Sequence, residues 1–335
     1  MDANPCLIEV YRNELVESRH RGAFCVVDQH SNVVLKAGDI EQKVYPRSGV
    51  KIIQALPLVT SGAADYFGFT DQELALICSS HGAESEHIEI LASIFDKIDV
   101  DPKALECGIH WPMFEAAGRE LARQGLHADA RHNNCSGKHA GLLAMAKYSK
   151  HPLQGYSQLS HPLQQIIRRQ FEDLAQLNLS HAPVGIDGCS IPTWAMPLRS
   201  IAEMMQKFSE PSRMNDKKLG AAMARLSHAT RHHPHMVAGT QRYCSVMMGA
   251  FAEDIFVKIG AEGIFCAFVR SQKLGIAVKS DDGAFRGAEA ILSGILNKLG
   301  AIDERTLKQA GCEDLLQPVI RNHKQIEVGH VEVCF

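Results

Sequence analysis

The hydrophobic pattern of this 335-residue chain changes period twice, and that constrains its fold more than any other feature. From Cys6 to about Ala37 the segments CLIEVYR, LVESRH, GAFCVVDQ and NVVLKAG alternate or run β-branched. They read as antiparallel strands, with turns expected at Arg12-Asn13, Arg21-Gly22 and His30–Asn32. From about Ser48 to Arg231 apolar residues recur at helical spacing, as in VKIIQALPLVTSGAADYF, ESEHIEILASIFDKI, FEAAGRELARQG, GKHAGLLAMAKYS, PLQQIIRRQFEDLAQL and SIAEMMQKFS. Strands return in DIFVKIG, GIFCAFV and KLGIAVKS, followed by a helix in AFRGAEAILSGILNKLG, a short helix, and a last alternating run, QIEVGHVEVCF.

Two independent β modules around a helical domain would satisfy this order. Each end alone, however, offers few strands and would leave a sheet face uncovered. The expectation is an α/β (α+β) fold with one antiparallel sheet built from both chain ends. The chain is then one interleaved unit, with a sheet subdomain at 1–47 and 240–335 and a helical subdomain at 48–239.

Lys and Arg number 35 and Asp and Glu 38, a formal charge of −3, with 45% hydrophobic and 22% charged residues. Disorder is excluded by that profile, and the absence of a basic block argues against nucleic acid or an anionic membrane as partner. No run approaches the roughly 18 apolar residues of a membrane span. The first residues lack a basic flank leading into an apolar run, so the cytoplasm is the expected compartment and the ten cysteines are expected to be reduced. Cys6, Cys25, Cys266 and Cys334 lie in apolar runs and read as core residues. Cys135, Cys189 and Cys244 have polar or Gly-rich neighbours and do not.

Three clusters carry possible chemistry. In YPRSGVK, Ser48 precedes Lys51 by three residues, a spacing that shares one helix face and lets an amine act as base for a serine nucleophile. The plain alternative is an N-cap serine followed by a surface lysine. In LALICSSHGAES a strand-like or buried apolar run ends in Ser79, Ser80 and His81, which is where active-site groups or a simple helix cap would sit. In DIFVKIGAEG, Lys258 lies inside an apolar strand as an edge charge or a functional amine, and Gly260 permits close approach of a ligand. Ser-x-x-Lys, a serine element and a late Lys-x-Gly, in that order, is the arrangement of penicillin-binding proteins and class A β-lactamases, which transfer acyl groups through a serine ester.

A fourth cluster points to metal. RHNNCSGKHAG brings Cys135, Lys138 and His139 within five residues, and GIDGCSIPTW adds Cys189, with Asp187 beside it. Two thiolates, a nitrogen and one open position make an ordinary zinc site, and spacing alone prefers His139 as the nitrogen. The histidines of HATRHHPHM, by contrast, read as surface or interface residues.

With these residues in hand, the chain resembles the rhizobial-type L-asparaginases, the asparaginase II family. The resemblance runs through VESRHRG, YPRSGVK, ICSSHGAESEH, NNCSGKHAG, GIDGCSIPTWAMPL, GTQRYC, VKIGAEGIFCAF and DDGAFRGAE. It implies a serine β-lactamase/penicillin-binding-protein-like fold, a homodimer, and hydrolysis of L-asparagine to L-aspartate and ammonia. It also implies two serine–lysine pairs, Ser48 with Lys51 and Ser80 with Lys258, and a zinc ion held by Cys135, Lys138 and Cys189 that assists substrate binding. Lys138 thereby replaces His139 as the expected ligand. Arg47 and Asp187 match positions near the site and are expected to bind substrate, and Cys244 lies near them. Rival readings are another serine amidohydrolase on the same fold, acting on glutamine, a β-lactam or a peptide, and a non-enzymatic zinc-binding protein.

Overall fold

Strand β1 (Cys6–Arg12) pairs antiparallel with its sequence neighbour β2 (Leu15–Val27) and also with the last strand of the chain, β12 (Glu327–Val333). Strands from both chain ends therefore share one sheet. The computed structural model describes residues 3–335. They divide into two units, one of residues 3–49, Met196–Glu210 and Ala250–Phe335, the other of Val50–Ala195 and Pro211–Gly249.

In the first unit, β3 (Val33–Ala37) and a two-residue ribbon of β4 (Lys43–Val44) and β7 (Met196–Pro197) precede three long strands. These are β8 (Ile255–Gly260), β9 (Ile264–Val269) and β10 (Leu274–Ser280), and β11 (Val319–Arg321) completes an eight-stranded sheet. Its order is β11-β12-β1-β2-β10-β9-β8, with β3 also on β2. All positions of β8 and β9 are buried, as continuous apolar runs require when both faces are covered. The helices Leu198–Ser209 and Phe285–Lys298 pack on the sheet. The first of them lies within the stretch 48–239 read as helical. It joins the sheet because Gly275 of β10 has no Cβ, which would stand 2.1 Å from the Ala202 carbonyl.

The turn expected at Arg21-Gly22 is absent, and β2 runs unbroken for 13 residues. Gly22 sits where β2 passes from pairing with β1 to pairing with β10, and a Cβ there would come within 2.4 Å of the Lys279 carbonyl. Its glycine serves strand approach.

The second unit is mainly helical. The single helix expected over VKIIQALPLVTSGAADYF is three short ones, Lys51–Gln54, Leu56–Thr60 and Ala63–Tyr66, with Pro57 near the start of the second and Gly62, at φ +93°, before the third. The run read as strand-like or buried before Ser79 is a buried helix, Asp71–Ile77, opened by a Thr70–Glu73 capping box. Longer helices follow at Ser85–Ile98, Ser136–Tyr148, Pro162–Ala175 and Lys217–His232. Helix 136–148 is buried from Ser136 to Ala146. A hairpin of β5 (Val184–Ile186) and β6 (Pro192–Trp194) also belongs to this unit.

All ten cysteines are free. Cys25 and Cys266 are core residues, their thiols pushed up to about 12 by burial. Cys334, expected in the core, is exposed just past the end of β12, and Cys6 is only half-buried at the start of β1. Among the described residues no helix is long and apolar enough to cross a membrane.

Candidate active site

Two glycines bring the polar segments of the helical unit together. A Cβ at Gly137 would stand 2.2 Å from the Leu76 carbonyl, and one at Gly141 would stand 2.7 Å from Ile77. Helix 136–148 can thus lie directly against the end of helix 71–77. That contact sets Cys135 and Lys138, at the start of one helix, beside Ser79 and Ser80, just past the end of the other. Ser80 is fixed further by its N–H donating to the Val237 carbonyl at 2.8 Å, and His81 by donating to Asn134 O at 3.3 Å. Asn133 bridges the Cys107 carbonyl and the Cys135 N–H, at 2.8 and 2.9 Å.

Lys51 lies at the centre of this cluster with none of its surface exposed. Its Nζ donates to the Ser79 carbonyl, to Ser80 Oγ at 3.2 Å and to Cys135 Sγ at 3.0 Å. Beyond Cys135, the Lys138 Nζ donates to Cys189 Sγ at 3.0 Å. A hydrogen bond from Cys189 holds the Cys135 thiol well below its usual range, against the effect of burial, and the Lys51 and Lys138 cations act in the same direction. Cys189, the partner that keeps the proton, is pushed well up by that hydrogen bond and by burial. Burial opposes the charge on Lys138, but Cys189, Cys135 and Asp187 outweigh it and push Lys138 up.

Asp187 belongs to the tight β5–β6 turn, where its side chain accepts from the Gly188 N–H at 2.7 Å and its carbonyl from the Ser190 N–H at 2.8 Å. The turn carries Cys189 into the interior, 3% exposed. Cys244 is buried in the helix Tyr243–Ala250 of the same unit.

Arg47, Ser48 and Lys258 belong to the sheet unit. Ser48 sits in the 3₁₀ turn Arg47–Val50, which begins at a left-handed Arg47, φ +49°. Helix 51–54 has Val50 as its N-cap, without a side-chain cap, so the expected capping role of Ser48 is not seen. Four residues also contribute little of the helix dipole that an oxyanion could use. Lys258 is 1% exposed on β8. Although β8 ends the sheet path, a charge that guards an edge must reach water, so burial removes that reading. Gly260 does allow a close approach, but by the chain itself: its Cβ would stand 2.2 Å from the Ile264 side chain, 3.0 Å from Gly49 N and 3.1 Å from Pro46 O. The turn bearing Ser48 therefore lies against the strand bearing Lys258.

A second polar group involves histidines. His81, His87 and His235 form a stack with centroid spacings of 5.2 and 4.9 Å. The HATRHHPHM segment, read as surface or interface, thus sends one member to a buried partner, while His228 and His232 stack on each other. Ligand atoms of Glu84, His87 and His235 lie within 4.8 Å of one another, a group able to hold a metal ion. Both nitrogens of His87 are already engaged, Nδ1 accepting from Glu84 N at 3.1 Å and Nε2 donating to His235 O at 2.9 Å. Glu84 in turn accepts from Thr240 N and Oγ1, so this group fastens the Gly239–Thr240 turn. Its Glu84-x-x-His87 half is a helix-start pattern readable in the sequence; His235, 148 positions from His87, is not.

The profile of the family described as L-asparaginase II matches residues 8–333. The chain belongs to that family. It is accordingly an L-asparaginase-type amidohydrolase acting on a small molecule. No curated protein sequence matches the chain. Among solved structures it is similar to a putative β-lactamase from Bacteroides dorei DSM 17855, at 12% identity and TM-score 0.44, over 82% of this chain and 93% of that one. A β-lactamase from Mycobacterium bovis gives 12% and 0.43, over 83% and 94%. The protein titled Mglu, in its native form, gives 14% and 0.39, over 89% and 69%.

Proposed function

We propose that the protein hydrolyses L-asparagine to L-aspartate and ammonia through a serine ester. The observation that carries this reading is the wholly buried Lys51 amine held on Ser80 Oγ, within a family of amidohydrolases. In the proposed path Ser48 Oγ attacks the side-chain amide carbon while Lys51, in its neutral form, takes the serine proton. The C–N bond breaks as Lys51 returns that proton to the leaving nitrogen, and ammonia departs. Water then attacks the aspartyl ester, giving aspartate and restoring the serine. Backbone N–H groups including that of Ser48 stabilise the oxyanion. Ser80 and Lys258 move protons to and from the attacking water, and Arg47 and Asp187 bind the substrate's α-carboxylate and α-amino groups.

The distance of 3.2 Å from Lys51 to Ser80 favours a second reading, in which Ser80 is the nucleophile and Ser48 the relay. Mass spectrometry of a trapped acyl-enzyme decides between them by showing which serine carries the added mass. Ammonia release from asparagine and glutamine, with the colour change of a chromogenic β-lactam read beside it, tests the substrate, and turnover confined to glutamine or the β-lactam would sink the asparagine reading.

Cys135, Lys138 and Cys189 suit a zinc ion. Their sulfur and nitrogen donors already adjoin one another, buried, and metal binding would displace the protons on Cys189 and Lys138. When bound, the ion supplies positive charge that fixes substrate polar groups. Ten free cysteines suit a reducing cytoplasm, and the family resemblance suggests a homodimer, which light scattering on the purified protein tests.

A further inference from the structure

His81 follows Ser80, and the proposed path gives it no step of its own. It is fully buried, and so is Ser136, which it meets. On one side of the ring, Nδ1 accepts from the Ala83 N–H at 3.1 Å, which fixes the imidazole within its own loop. On the other side, Nε2 donates to Ser136 Oγ at 2.8 Å, and that hydroxyl donates on to the Arg131 carbonyl at 2.9 Å. Backbone groups close this series at both ends, so each proton in it has an acceptor. The His81 N–H crosses in the same direction, to the Asn134 carbonyl at 3.3 Å. One residue thus ties the loop after helix 71–77 to the start of helix 136–148 twice, by main chain and by ring. These are the two segments that Lys51 spans, through Ser80 Oγ at 3.2 Å and Cys135 Sγ at 3.0 Å. A lysine on its flexible four-carbon stem follows its acceptors and does not hold them in place. A planar ring bonded at both nitrogens does.

We propose that His81 is a positioning residue for the Lys51–Ser80 pair, its ring fixing the Ser80 segment against helix 136–148 through the bond to Ser136. The distance from Lys51 to Ser80 then depends on a side chain that touches neither of them through its ring. The proposal rests on the serine-ester reading above and holds for either choice of nucleophile, because Ser80 exchanges a proton in both.

The test measures kcat and KM for ammonia release from asparagine in the wild-type chain and in His81→Asn, His81→Gln and Ser136→Ala, with circular dichroism to confirm folding. Asparagine keeps an acceptor near the place of Nδ1 but is too short to reach Ser136, whereas glutamine presents an N–H donor near the place of Nε2. His81→Asn is expected to lower kcat about 10- to 100-fold, the effect of a misplacement of about 1 Å, with KM within a few-fold of wild type. His81→Gln should recover most of that loss. Ser136→Ala removes the acceptor instead of the donor, so it should match His81→Asn and gives the reading even where His81→Asn fails to fold. The double variant His81→Asn, Ser136→Ala should be little slower than either single one, because both remove the same bond. Wild-type kcat in folded Ser136→Ala overturns the proposal, as does a His81→Gln variant no faster than the asparagine one, or a double variant in which the two losses multiply. Ammonia release that persists in a chain carrying both Ser48→Ala and Ser80→Ala overturns the serine-ester reading itself, and this inference with it.

Discussion

Lys51 shows what a buried amine demands of its surroundings. Unpaired, it would cost several kcal/mol to remove from water, and here a carbonyl, a hydroxyl and a thiolate replace that water. Lys51→Met keeps the volume and removes the base. Asparagine-dependent ammonia release is expected to fall by about 10²–10⁴, the usual range for a general acid–base group. Ser48→Ala should fall further, by several orders of magnitude, whereas Ser80→Ala should retain measurable turnover if Ser48 is the nucleophile. The reverse ranking in steady-state assays would assign the attack to Ser80. At this scale Lys51, Ser80, Cys135 and Cys189 stand out in the sequence, each in a short, peculiar motif, whereas Lys138 enters only through the family resemblance, since spacing alone prefers His139. Asn133 does not stand out, because its place comes from one hydrogen bond to Cys135 N–H, and nothing local announces such a bond.

Elements decide whether those residues meet. Gly137 and Gly141 lie on one face of helix 136–148, and the carbonyl of Leu76 occupies the space a methyl group would need. Gly137→Ala should force the two helices apart, destabilising the protein by about 1–3 kcal/mol in chemical denaturation. Activity should fall at least tenfold, because the shift moves Cys135 from Lys51; an alanine variant with native stability and kcat would refute this account of the packing. The same reasoning explains two departures from pattern reading. Gly22 was taken for a turn and Gly260 for a ligand approach, since a glycine in a strand signals closeness without saying to what. In both places the neighbour is the chain itself, the Lys279 carbonyl at Gly22 and the Ile264 side chain with the Pro46–Gly49 backbone at Gly260. The helix Asp71–Ile77 opens on the Thr70–Glu73 capping box, but its apolar run reads like a buried strand in the sequence.

For the molecule as a whole, pH dependence should follow the stacked histidines. Burial, first, pushes His81 and His87 below the usual histidine range, and for His81 the neighbouring His87 and Lys51 add to it. In the unfolded chain each titrates near 6.5, so protons favour unfolding below about that pH. Stability should be full above pH 6.5 and fall on acidification by up to about 1.4 kcal/mol per unit for each histidine, until its folded pKa is reached. Thermal melts from pH 8 to 5 should show this slope, and the double variant His81→Asn, His87→Gln should reduce it, leaving the part due to His139, which burial likewise pushes well down. An unchanged slope would place the acid sensitivity elsewhere.

Period alone determined that strands from the two ends flank a helical middle, because alternation and 3.6-residue spacing are local consequences of backbone geometry. Motif chemistry determined the candidate nucleophiles, bases and thiols, because reactive residue types keep short spacings. Tertiary structure decided the rest: that β2 runs through Gly22, that helix 198–209 leaves the helical stretch for the sheet, and that Lys51 bonds Ser80 and Cys135. It also decided that His87 meets His235. The reason is common to all four, since contacts between residues far apart in the chain depend on how closely backbones approach. One missing Cβ sets that approach as firmly as any side chain that is present.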